Sequence, residues 1–297
     1  MNIGERAYKV LQDISFERLG GTDEELKALH IIKKEIDALE IENEIEEFEI
    51  DSYKVKCAEF VVTKPEKRVY NVTGYGMSGS TDSLTAPICY VESIKMIPLL
   101  DLEGKVVILS QPIGYQTYED LVKAKVAAII SSSGSLYDEL DKTDLEERAL
   151  RKRHFDHGKI PCFAIRMKDC EELILSNPKE AYVKLEQEET KVLSHNLVAT
   201  IPGSKKPNEV ICFSAHYDSV RFSTGAYDNG TGSVTILEAL HYFNEHKPDR
   251  TLKFIWCGSE EKGLLGSHAY VNKHKDELEN YKLNINVDMT GIVLGRD

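Results

Sequence analysis

The sequence predicts an α/β fold: a mixed, mainly parallel sheet flanked by helices, with a β-rich module inserted in the middle. Three observations predict it. From residue 194 onward, strand-like and helix-like segments alternate, the pattern of βαβ units. Before residue 51 the chain reads helix, helix, strand. Between 52 and 188 short strand-like runs alternate with turn-rich stretches, and no internal repeat is evident. The expected domains are therefore 1–51 and 189–297 for the two parts of the main fold, with 52–188 inserted between them.

Each element has a local reason. Thr22-Asp23-Glu24-Glu25 has the form of a capping box and follows Gly20-Gly21. Leu29, Ile32, Ile36 and Leu39 then share one helix face, and Ile45 to Ile50 reads as a strand. In the middle, strands are expected at Ala58–Thr63, Val106–Ser110, Ala127–Ser131, Cys162–Ile165 and Ala181–Leu185. Helices are expected there at Tyr118–Ala124 and Leu140–Lys152. The last third predicts strands at Asn196–Ile201, Glu209–Ser214, Thr251–Cys257 and Leu283–Asp288. Helices at Gly232–Glu245 and Leu264–Lys275 connect them, the first with Ile236, Leu237, Leu240 and Phe243 on its apolar face.

Composition narrows the class. The 297 residues are 41% hydrophobic and 29% charged, which excludes a disordered chain, a collagen and a coiled-coil rod. A net charge of −13 argues against nucleic-acid or anionic-membrane partners, which need clustered Lys and Arg. The longest apolar runs fall far short of the roughly 20 residues that cross a bilayer. The first 20 residues lack the basic-then-apolar order of a secretory signal. None of the six cysteines forms a C-x-x-C pair. Reduced, buried thiols in a cytoplasmic protein are the expectation.

In open α/β sheets, ligands bind beyond the carboxyl ends of the strands. His216, Tyr217 and Asp218 follow one predicted strand there, Glu260 and Glu261 follow the next, and Asp288 ends the last. Asp228 sits at the start of the intervening helix, in a turn with Gly230 and Gly232. Crowded carboxylates repel one another unless a cation joins them. A mixed imidazole and carboxylate set suits Zn²⁺, and several bridging-capable carboxylates suit a two-metal site. On extended backbone His216 and Asp218 point the same way, so Asp218 can orient the imidazole. Adjacent Glu260 and Glu261 are expected to diverge, one on metal and the other handling protons.

The segments SAHYDSV (214–220), GAYDNGTGS (225–233), GSEEKGLLGS (258–267) and NVDM (286–289) resemble the dizinc aminopeptidase family. That family includes glutamate carboxypeptidase, the glutaminyl cyclases and the silent transferrin receptor. The resemblance implies a zinc-exopeptidase-like, phosphorylase/hydrolase-like fold. It implies His216 and Asp288 on the first zinc, Asp228 bridging, Glu261 on the second zinc, Glu260 as general base and Asp218 orienting His216. A cis peptide after Asp228 is implied as well. GKVVILSQPIGYQTYEDLVKAKVAAIISSS (104–133) and IPCFAIRMKDCEELI (160–174) resemble an inserted protease-associated (PA) domain. The implied activity is a zinc-dependent metallo-aminopeptidase that takes peptide substrates. Family members carry a further histidine ligand downstream of Asp288, whereas no histidine follows His274 here. The chain is therefore expected to be C-terminally truncated, with the second zinc site incomplete. Two other readings stand beside this one: a non-catalytic binding module or inactive fragment, and a single-zinc glutaminyl cyclase-like enzyme.

Other candidates have plainer readings. His154 and His157 lie in a basic stretch and read as a solvated loop. His241, His246, His268 and His274 read as surface, and His195 as structural. Cys257 reads as a core thiol, not a nucleophile. Tyr217 and Tyr227 line the pocket or pack. Glu188 and Glu189 read as a solvated linker.

Overall fold

The computed structural model describes residues 3–139, 145 and 148–291. Helices α1 (Ile3–Ile14) and α2 (Asp23–Asp37) lead into the long strand β1 (Asn43–Lys64). Short strands β2 (Arg68–Tyr70) and β3 (Val72–Gly74) precede β4 (Thr81–Val91) and β5 (Val106–Leu109). Then come α3 (Tyr115–Lys123), β6 (Ala128–Ser133), the one-turn α4 (Lys152–Phe155), β7 (Cys162–Arg166) and α5 (Met167–Leu175). The long strand β8 (Glu180–Ile201) is followed by β9 (Lys206–His216), α6 (Thr231–Glu245), β10 (Arg250–Cys257), α7 (Leu265–Lys273) and β11 (Tyr281–Asn286). The chain divides into two compact units, Met1–Ile50 with Lys191–Asp297, and Asp51–Thr190.

In the first unit the strand order is β11-β9-β10-β8. β9 is parallel to both β10 and β11, and β10 is antiparallel to β8. One face packs Ala199, Ala215, Phe254 and Trp256 against Ile14, Leu29, Ile36, Ile236 and Leu240 from α1, α2 and α6. The other face packs Val198, Cys212 and Ile255 against Tyr270 of α7. Residues facing opposite sides alternate along each strand, so helices cover both faces, as a parallel sheet requires. Among the described residues β11 lies at the edge of the sheet, with Leu283 52% and Ile285 37% accessible.

In the second unit β4, β5, β6 and β7 run parallel, β3 is antiparallel to β7, and β4 is antiparallel to β8. Val106, Ile108, Ile130 and Phe163 fill one side of this sheet, and Val107, Leu109, Ile129 and Cys162 fill the other. The parallel core was not legible from the turn-rich texture of this region.

Several local expectations change. The predicted helix Leu140–Lys152 lies partly outside the described residues. Its described end, residues 148–151, is not helical, and helix begins only at Lys152. Glu188 and Glu189 are exposed residues within β8, beside the boundary between the two units. His154 is buried, stacked on Tyr115 with ring centroids 4.2 Å apart. Asp288 lies two residues beyond the end of β11, not within it. None of the described helices is long and apolar enough to cross a membrane.

Candidate metal centre

Parallel pairing aligns the carboxyl ends of β9, β10 and β11. Register places His216 opposite Cys257, and Ser214 opposite Asn286. His216 therefore ends one strand while the turn carrying Glu260 and Glu261 leaves the next. Asp288 follows the third. Asp228 enters from the π-type turn Ala226–Gly230 that opens α6, and its peptide bond to Asn229 is cis.

The side chains converge on the buried imidazole of His216. Its Nε2 lies 3.1 Å from Asp228 Oδ1 and 3.7 Å from Asp288 Oδ1. Candidate ligand atoms of His216, Asp228 and Asp288 all fall within 4.8 Å of one another, and so do those of His216, Glu260 and Glu261. The two groups share His216. Glu260 and Glu261 thus reach toward the same space and do not diverge as their adjacency suggested. Ser259, at φ +52°, turns the backbone as it leaves β10, immediately before the two glutamates.

Asp218 does more than face the imidazole. Its Oδ1 lies 3.4 Å from His216 Nδ1, a contact without hydrogen-bond geometry. The fully buried carboxylate instead accepts from the backbone N–H groups of Glu260 at 2.9 Å and Glu261 at 3.2 Å. Asp218 therefore fixes the turn that presents both glutamates. Asn229, also fully buried, was not singled out in the sequence. Its Oδ1 accepts from Gly232 N and Met289 N, each at 3.0 Å, and its Nδ2 donates to Val287 O at 3.0 Å. Asn229 ties the Asp228 turn to the backbone on both sides of Asp288.

Electrostatics describe a site with surplus negative charge. Burial lowers the His216 pKa, but Asp218, Glu260 and Asp288 outweigh it and hold the imidazole at about 9. Burial, then Asp228 and Asp218, push Glu261 up to about 7. Burial also raises Glu260, with Asp218 and Asp288 adding to the shift against the opposing pull of His216. One nitrogen and several crowded carboxylate oxygens fit a divalent cation.

The remaining candidates are structural. Tyr217 is fully buried and donates to His195 O at 2.8 Å, which is packing and not pocket lining. Tyr227 is 38% exposed. Burial pushes the Cys257 thiol far up, so it is not a nucleophile. His274, expected at the surface, is buried and pairs through Nε2 with Glu46 at 2.7 Å. Lys273 Nζ also reaches Glu46, at 2.8 Å, so the acidic and imidazole group Glu44, Glu46 and His274 already holds its own cation. Burial raises the Glu46 pKa, but Lys273 and His274 overcome it and leave the carboxyl below its usual value. A depressed folded-state pKa contributes stability above the unfolded value, and that stability is lost as pH falls through the folded one. Glu46→Gln is therefore expected to lower unfolding free energy at pH 7 and to have little effect near pH 3. Urea denaturation at both pH values checks this, and an equal loss at both would contradict it.

A sheet-edge cluster of one imidazole and several carboxylates, in an α/β fold, has the composition of a divalent-metal site. Residues 196–293 match the model of Peptidase family M28. Carboxypeptidase Q from Bos taurus is 28% identical over 96% of this chain and 64% of its own length. Aminopeptidase YwaD from Bacillus subtilis (strain 168) is 38% identical over 44% of this chain and 29% of its own length. Among solved structures, BSAP, a zinc aminopeptidase from Bacillus subtilis, superposes with a TM-score of 0.77 at 27% identity, covering 97% of this chain and 69% of its own. The chain thus spans somewhat under two thirds of the length of the carboxypeptidase relative.

Proposed function

We propose that the protein is a zinc-dependent exopeptidase of aminopeptidase polarity. The observation that carries this reading is the pair of ligand groups that share His216. In it His216, Asp228, Glu261 and Asp288 would hold metal. Bound zinc supplies polarisation of the scissile carbonyl and acidification of the attacking water. The chain's own groups do the rest. Glu260 would serve as general base toward the attacking water and as general acid toward the leaving amine. Asp218 keeps the Glu260 backbone in place through the 2.9 Å bond, so the general base does not drift. Buried Tyr217 and Asn229 hold the surrounding backbone.

The polarity rests on the likeness to a zinc aminopeptidase across nearly the whole chain. The carboxypeptidase relative makes the opposite polarity the competing outcome. Peptides with free and with acetylated N-termini separate the two. Release of the N-terminal residue from free peptides, with acetylated ones spared, is expected. Release of C-terminal residues from acetylated peptides would reverse the polarity. We read the unit Asp51–Thr190 as a PA-type module that shapes access or interaction and has no chemistry of its own. Its two-sided parallel core supports a self-contained insert. Six free cysteines, four of them buried, support a reducing, cytoplasmic setting.

A further inference from the structure

We propose that the segment from Arg18 to Glu25 is a clasp that positions the metal-holding loops, with Arg18 and Glu25 as its two positioning residues. The inference rests on the metal-site reading above. It concerns residues outside the matched family segment 196–293.

Arg18 is fully buried and spends its guanidinium on backbone carbonyls. Nη1 donates to Thr224 O at 2.6 Å, Ile14 O at 2.9 Å and Phe16 O at 3.1 Å. Nη2 donates to Gly225 O at 2.7 Å, and Nε donates to Tyr217 O. The Arg18 backbone adds two bonds to Ser219: its N–H donates to Oγ at 3.0 Å, and its carbonyl accepts from Ser219 N at 3.2 Å. One side chain therefore joins the stretch after His216 to the stretch before Asp228. Its charge also faces Asp218 and Asp228, which act on it through space.

Glu25 holds the third loop. Its Oε1 accepts from Ser259 N at 2.9 Å, Ser194 Oγ at 2.8 Å and Ser259 Oγ at 3.3 Å. Its Oε2 accepts from Gly21 N at 2.8 Å, anchoring the segment to itself. Ser259 immediately precedes Glu260. Contact is close enough to exclude side chains: a Cβ on Gly20 would sit 2.2 Å from Ser259 Oγ, and one on Gly225 would sit 2.5 Å from Arg18 Nη1. Burying two charged groups is costly, and apolar residues of similar volume often serve stability as well. What apolar residues cannot do is fix carbonyl and amide positions in three separate loops. Outer groups of this kind tune metal sites, and losing one typically costs about 10–100-fold in affinity.

The test uses the full chain, metal-free and with zinc, in parent, Arg18→Met, Arg18→Lys and Glu25→Gln forms. Amide hydrogen exchange is read first without metal. Arg18→Met is expected to speed exchange in 217–230 while strands β9 and β10 keep their protection. Glu25→Gln is expected to do the same for 258–261. Zinc affinity, measured by competition with a chromophoric chelator, should fall by about 10–100-fold in Arg18→Met. Arg18→Lys, with three donors, should fall between. Unchanged loop exchange and zinc affinity would overturn the clasp. So would uniform loosening that includes the strands, because that marks a purely structural role. If Arg18→Met does not fold, Arg18→Lys and Glu25→Gln carry the same comparison. A parent chain that binds no zinc sinks the metal reading, and the metal-free exchange still decides the clasp.

Discussion

Glu260→Gln is expected to lower peptide turnover by roughly 10²–10⁴-fold, the range that general acid–base catalysis supplies. Zinc binding should persist, because His216, Asp228, Glu261 and Asp288 remain. The glutamine is nearly isosteric, and the backbone bond from residue 260 to Asp218 does not depend on the side chain. Activity and metal content are therefore expected to separate in this variant. Steady-state kinetics beside elemental analysis reads both. Turnover close to that of the parent would remove Glu260 from the proton-transfer role. Loss of zinc together with turnover would make it a ligand instead.

The second large effect is expected at Asn229. Replacing it with alanine leaves Gly232 N, Met289 N and Val287 O without their present partner. A buried orphan such as Gly232 N costs about 1–3 kcal/mol, and the part-buried Met289 N and Val287 O recover part of their loss from water. A net loss of roughly 3 kcal/mol is expected, large for a single substitution. The same change should weaken zinc binding, because Asn229 joins the Asp228 turn to both flanks of Asp288 through one side chain. Equilibrium denaturation measures the first consequence and a zinc titration the second. A stability change under about 1 kcal/mol would show that the bonds are replaceable.

Much of this site was legible before the fold. His216, Asp228, Glu260, Glu261 and Asp288 follow predicted strands or open a predicted helix, and strand-end placement is a rule of parallel sheets. The structure brings all five to one edge. What the sequence did not reveal depends on long-range packing. Arg18 bonds to carbonyls about two hundred positions away, and carbonyls leave no trace in side-chain identity. Thr22 caps α2 as its motif predicted, accepting from Glu25 N. The Glu25 side chain, however, leaves the capping box for Ser259 and Ser194, which come near only in the folded sheet. His274 looked like a surface residue because its partner, Glu46, lies on β1, far away in sequence. The parallel core of Asp51–Thr190 stayed hidden for a related reason. Four-to-six-residue strands such as Val106–Leu109 are apolar on both faces and carry no alternation that reveals direction.

The central claim is that His216 anchors a divalent-metal site at the sheet edge. The most direct measurement is zinc bound per folded chain after equilibration and dialysis, compared with His216→Ala. Because both ligand groups share His216, the parent is expected to retain zinc and the variant to lose it with its fold intact. A folded parent chain that retains no zinc, or a His216→Ala variant that holds as much as the parent, would contradict the claim.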